Sequence, residues 1–127
     1  MRSRAKKDST IEGKGITMWR NAQKSAAKRN QEFSITLNDI VKAWHVQNES
    51  CAYSGRKMTL VAGQLNTVSI ERINSEIGYT SDNTILVCQA INRMKSDFQY
   101  DDFYALCRDV AQFLGDEKLQ LAVGAFK

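Results

Sequence analysis

Proline is absent from all 127 positions, so the residue that most strongly interrupts helices and central strands marks no boundary along the chain. Element ends must be read from caps, glycines and changes of hydrophobic period instead. Cysteine is scarce and odd in number: Cys51, Cys88 and Cys107 stand far apart, which excludes a disulfide framework and agrees with reduced thiols in a cytosolic setting. No apolar run approaches the roughly 18 residues needed to span a bilayer. The N-terminal MRSRAKKDST is basic but has no apolar segment behind it, so it does not read as a secretory leader. The expectation is a cytoplasmic protein with no membrane partner. Histidine occurs once, as His45 beside Trp44, where an exposed or packing role is the plain reading.

A hydrophobic content of 43% with 25% charged residues suits one soluble domain with a modest core. The net charge of +4 is mild but unevenly placed: residues 1–30 hold nine basic side chains against Asp8 and Glu12, a net +7, which leaves −3 for the remainder. That asymmetry points to a polyanionic partner, although a solvated tail kept for solubility would carry the same charges. There is no internal repeat. The first 14 residues read as a flexible basic tail and residues 15–127 as a single domain.

From Gly15, the run ITMWRNAQKSAAKRNQ predicts a helix with Ile16, Trp19, Gln23 and Ala26 on one side and a basic stripe of Arg20, Lys24 and Lys28 beside it. A second helix follows, opened by a capping box over Thr36–Asp39, with Leu37, Ile40, Val41 and Trp44 at i, i+3, i+4 and i+7. TVSIERI reads as a strand with one half-buried face, SEIGYTSDN as a long turn and Thr84–Val87 as its partner strand. A helix should start near Cys88. In YDDFYALCRDVAQFLG, Phe103, Leu106, Cys107, Val110, Phe113 and Leu114 share one face, with Cys107 expected in the core.

AKRNQEFSITLNDIVKAW, CAYSG, SIERINSEIGYTSDN and LVCQAINRMKSDF occur in that order, and together they resemble the HNH endonuclease superfamily, more closely a group of HNH-like proteins common in phage genomes. The resemblance covers roughly residues 15–115. It implies an α+β fold: a ββα-metal hairpin plus helix, with two helices before it and one or two after it. It further implies a small DNA endonuclease that hydrolyses phosphodiester bonds with Mg²⁺ or Mn²⁺, acting on DNA rather than RNA, in the cytoplasm of an infected bacterial host if phage-encoded.

By this resemblance Glu71 and Asn92 hold the metal, Arg72 and Lys95 touch the phosphate, and Arg20, Lys24 and Lys28 bind flanking backbone. Catalysis would rest on Glu71, Arg72 and Asn92. Arg72 stands where the family has a histidine, and a guanidinium with a pKa above about 12 cannot serve as a general base at neutral pH. The activity expected is therefore weak. The alternative is a nuclease-derived protein that kept the fold but lost hydrolysis, binding nucleic acid or inhibiting a host protein. The family's zinc knuckle is also incomplete: Ser54 and Ile91 stand where cysteines would, so Cys51 and Cys88 are expected as packed structural residues without zinc. Gly78 is expected to need a backbone conformation that other residues resist, and Asn83 to hydrogen-bond the turn.

Overall fold

A computed structural model describes residues 9–115. Six elements follow one another: α1 (Ile11–Lys28), α2 (Leu37–Val46), β1 (Val68–Arg72), β2 (Thr84–Cys88), α3 (Gln89–Lys95) and α4 (Tyr100–Gly115). The result is an α+β fold whose one sheet, among the described residues, is an antiparallel hairpin of β1 and β2. With α3 following directly on β2, the arrangement is that of an HNH-like ββα fold. The chain divides after Asp97 into two compact units, and α4 belongs to the second.

Helix α1 begins at Ile11, four residues before the predicted Gly15, because Thr10 caps it: the Thr10 hydroxyl accepts from Gly13 N at 3.1 Å and Glu12 lies in the positive first turn. The predicted flexible tail thus falls partly on helix, while residues 1–8 lie outside the described residues. The buried side of α1 is Ile11, Lys14, Gly15, Ala22 and Ala26. Gln23, expected among them, is exposed, and Ile16 and Trp19 are half-buried. Small residues win this face because α2 comes close: a Cβ on Gly15 would sit 2.9 Å from Leu37 Cδ1. On α2 the capping box is formed, with Asp39 N donating to Thr36 Oγ1 at 3.1 Å and Thr36 N to Asp39 Oδ2 at 2.8 Å.

Ile40 and Trp44 of α2 meet Val68 and Ile70 of β1 and Leu86, Val87 and Cys88 of β2 in one core, joined by Cys51 and Met58 from the segment between α2 and β1. The outer side of β2 is closed by an amide: Gln47, at the end of α2, donates from Nε2 to Leu86 O at 2.8 Å and accepts from Leu86 N at 3.0 Å. Leu86 O also accepts from Ala52 N at 3.1 Å, so this strand edge is not left open. The hairpin register runs from Val68 opposite Cys88 to Arg72 opposite Thr84.

The connection between the strands is fixed from inside. Buried Asn83 accepts from Asn74 N at 2.9 Å and donates to Asn74 O and Gly78 O, each at 3.0 Å, and to Ile77 O at 3.3 Å. Gly78 is required for a reason other than the expected one. Positive φ among the described glycines occurs at Gly55 and Gly63, whereas at Gly78 a Cβ would overlap the carbonyl oxygen of Glu32 and lie 2.7 Å from its C and N. The close approach lets Tyr79 N donate to Glu32 O and Ser34 N to Tyr79 O, both at 2.9 Å.

On α4 the apolar stripe has the predicted period, but Leu106, Val110, Phe113 and Leu114 are exposed and Cys107 is only half-buried. Cys107 is therefore not the core residue that periodicity suggested, since period reports which side chains share a face and not what covers it. No helix among the described residues is long and apolar enough to cross a membrane.

Candidate functional site

Alternation along β1 would leave Glu71 on the more open face, yet the strand is buried on both sides at its end. Glu71 is 5% exposed and Arg72 6%. The cover is α3, whose Lys95 is fully buried and lies with Nζ 4.0 Å from Glu71 Oε2. Lys95 also donates to Arg72 O at 3.3 Å. Glu71 Oε1 accepts from Arg72 N at 2.8 Å, while Oε2 has no hydrogen bond. Burial pushes the Glu71 carboxyl above its ordinary value, opposed by the Lys95 ammonium and the Arg72 N–H.

Arg72 is held entirely within the protein. Its Nη1 donates to Gln31 Oε1 and, at 2.7 Å, to Ser75 O, and its guanidinium lies 5.5 Å from the centre of the Tyr79 ring. Gln31 Nε2 donates to the same Ser75 carbonyl at 3.1 Å. Behind Tyr79 come Phe33 and Trp19 in edge-to-face contacts, with centroids 5.9 and 5.4 Å apart. Asn92, one turn before Lys95, donates to Ser69 Oγ at 2.8 Å and Ile70 O at 3.0 Å. It fastens α3 to β1 and does not hydrogen-bond Glu71.

The structure therefore brings together Glu71 and Lys95, which the sequence reading had placed on metal and on phosphate respectively. It does not present Arg72 or Lys95 to solvent. A phosphate clamp needs accessible donors, and these two are buried and turned to internal acceptors. His45 is exposed on α2. Arg20, Lys24 and Lys28 form an exposed stripe along α1 and make no ion pair among the described residues.

A hard divalent cation takes about six oxygen ligands, in part from water. Here the donors are one nearly buried carboxylate and one amide already bonded elsewhere, and among the described residues no three His, Cys, Asp or Glu side chains converge on a possible metal position. An ammonium beside the carboxylate supplies the positive charge that a metal would bring and repels a second cation. The residues present do not suit a divalent metal at Glu71.

Cys51 and Cys88 are buried, free thiols. Cys51 Sγ accepts from Cys88 N at 3.2 Å and Ser54 N at 3.4 Å. Burial acts to raise the Cys51 thiol, but donors from Ser54, Cys88 and Tyr53 outweigh it and lower the pKa, whereas burial and the neighbouring Cys51 push Cys88 up. The sequence reading missed Gln31, Tyr79 and Lys14. The first two meet Arg72 only through the fold, with 41 residues separating Gln31 from it, and a lysine in a basic helix gives no sign that it is buried.

The fold class is shared with a solved structure of the rare-cutting HNH restriction endonuclease PacI, at a TM-score of 0.59 and 20% identity over 77% of each chain. In sequence, the chain is similar to the uncharacterized protein R423 of Acanthamoeba polyphaga mimivirus, 26% identical over 102 residues, which is 80% of this chain and 18% of that protein. It is also similar to the uncharacterized 29.0 kDa protein in the dda-modA intergenic region of Enterobacteria phage T4, 29% identical over 83 residues, 65% of this chain and 32% of that protein. The chain thus spans a third or less of the length of these viral relatives. No family model matches it.

Proposed function

We propose that this chain is a DNA-binding domain built on an HNH-like fold, in which the hydrolytic centre has been replaced by an internal ion pair. The observation that carries this reading is the contrast among its cations: Arg72 and Lys95 are sealed inside at 6% and 0% exposure, while Arg20, Lys24 and Lys28 stand exposed on one helix. Residues at i, i+4 and i+8 lie about 6 Å apart along the axis, close enough to follow a phosphate backbone. The phage T4 relative supports a phage-type protein, the viral origin of both relatives supports action in the cytoplasm of an infected cell, and DNA is favoured over RNA by the restriction endonuclease that shares the fold. Whole-protein partners, a host protein among them, are part of the same proposal.

Fluorescence anisotropy with labelled duplex DNA tests it. Replacing Arg20, Lys24 and Lys28 with alanine should reduce the slope of log K against log salt by about 2.7, because each neutralised phosphate contributes about 0.9 through counterion release. An unchanged slope removes α1 from the interface, and equal or tighter binding of a matched RNA duplex overturns the choice of DNA.

The alternative, weak hydrolysis with Mg²⁺ or Mn²⁺ at Glu71 and Asn92, runs against the donor set described above, and its one support is Glu71 Oε2, buried without a hydrogen bond. Plasmid cleavage that requires added Mg²⁺ or Mn²⁺ and is abolished by Glu71→Ala would establish it over the binding reading.

A further inference from the structure

Between α1, the start of β1 and α3 lies an open, polar groove of about 350 Å³. Lys14 lines it and is 9% exposed. The ion pairs among the described residues are Lys95 with Glu71 and Arg108 with Asp109, so Lys14 has no carboxylate partner, and no side-chain hydrogen bond is formed by it there either. Among the described residues no Asp or Glu lines the groove. The Lys14 side chain is largely covered, but its ammonium, unlike Glu71 Oε2, is not sealed from solvent, so it opens on the groove, where an anion can meet it.

We propose, resting on the DNA-binding reading above, that this groove seats a backbone phosphate of the bound nucleic acid, with Lys14 as the cation that holds it. The remaining polar lining suits an anion. Asn21 and Ser25 extend from the same helix and Gln89 from α3. Ser69 Oγ accepts from Asn92 Nδ2, which leaves its own hydrogen to donate into the groove. One end of the exposed stripe is in reach of the groove: at 100° per residue, Asn21 and Ser25 project within about 20° of Lys14, Lys28 about 40° away, Lys24 about 80° and Arg20 about 120° away. A strand held at the Lys28 end of the stripe therefore reaches the mouth of the groove.

The test pairs DNA binding with a free anion. Lys14→Met keeps the length of the side chain and removes the charge. It should weaken duplex DNA binding by about 10- to 100-fold, as expected for a lost charged hydrogen bond. Inorganic phosphate should raise the melting temperature of the wild type relative to chloride at equal ionic strength, and should not raise that of Lys14→Met. If Lys14→Met does not fold, Asn21→Asp, which places a carboxylate on an exposed position of the lining, should cause the same two losses. Unchanged DNA affinity in the folded variant overturns the proposal while the DNA-binding reading stands on the wild-type measurement. A wild type that ignores DNA but is stabilised by phosphate through Lys14 overturns the nucleic acid as occupant, and a rise in melting temperature shared equally by wild type and variant overturns the site itself.

Discussion

Removing the ammonium of Lys95 while keeping its unbranched stem, as in Lys95→Met, would leave the Glu71 carboxylate 5% exposed with Arg72 N, at 2.8 Å, as its one hydrogen-bond donor. Breaking a buried ion pair by removing one partner costs about 3–5 kcal/mol. The 4.0 Å separation, without a hydrogen bond between the two groups, argues for the lower end, about 3 kcal/mol. Glu71→Gln strands the buried ammonium instead and should cost a similar amount. The double variant Glu71→Gln/Lys95→Met removes both charges, and because well-packed neutral replacements of buried pairs are often no worse than the pair, it should return to within about 1 kcal/mol of wild type. Urea denaturation followed by circular dichroism measures all three, and the coupling should be several kcal/mol, well beyond the additive case. The reasoning is refuted if Lys95→Met costs less than about 1 kcal/mol, or if the double variant loses the sum of the single losses.

Three further outcomes follow from the same contacts. Since the Glu71 carboxyl is raised by burial, the folded chain holds this proton more tightly than the unfolded one. Its contribution is complete below the unfolded value of about 4.3 and is lost as pH rises through the folded value. Wild-type stability measured against Glu71→Gln should therefore decline across that window, and a rising difference would reverse the assignment. Gly78→Ala, with its overlap on the Glu32 carbonyl, should destabilise by about 3 kcal/mol, and an unchanged urea midpoint would show that the two segments separate freely. Elemental analysis of purified protein should find no stoichiometric zinc, because two thiolates with Ser54 and Ile91 nearby in sequence do not complete a tetrahedral site; one zinc per chain would place the ligands elsewhere.

Local chemistry was the legible part of the fold. The Thr36–Asp39 box, the i, i+3, i+4, i+7 spacing of α2 and the two β-branched runs each act within a few residues, and each could be read in place. The site depended on longer distances. Lys95 follows Asn92 by three residues, which suggests an outward lysine on the same face, ready for phosphate, and only the packing of α3 across the end of β1 turns it into a buried counterion. Arg72 reads as a free guanidinium until Gln31, Ser75 and Tyr79 converge on it. Gly78 illustrates the same limit: the sequence signals that a glycine is wanted, but whether for φ or for the proximity of Glu32 is decided by a segment 46 residues earlier.

The tie from Arg72 to Gln31 also works as a lever. Gln31 lies three residues beyond the end of α1, an 18-residue helix that is about 27 Å long at 1.5 Å per residue. A tilt of about 10° about that anchored end would swing the far end through roughly 5 Å, more than the 3.4 Å rise per nucleotide along one strand of duplex DNA. If α1 meets DNA as proposed, internal contacts at the hairpin that touch no nucleic acid would set which phosphates the helix can meet at once. A change such as Arg72→Lys would alter binding through the aim of α1, although the exposed charges of the stripe remain the same.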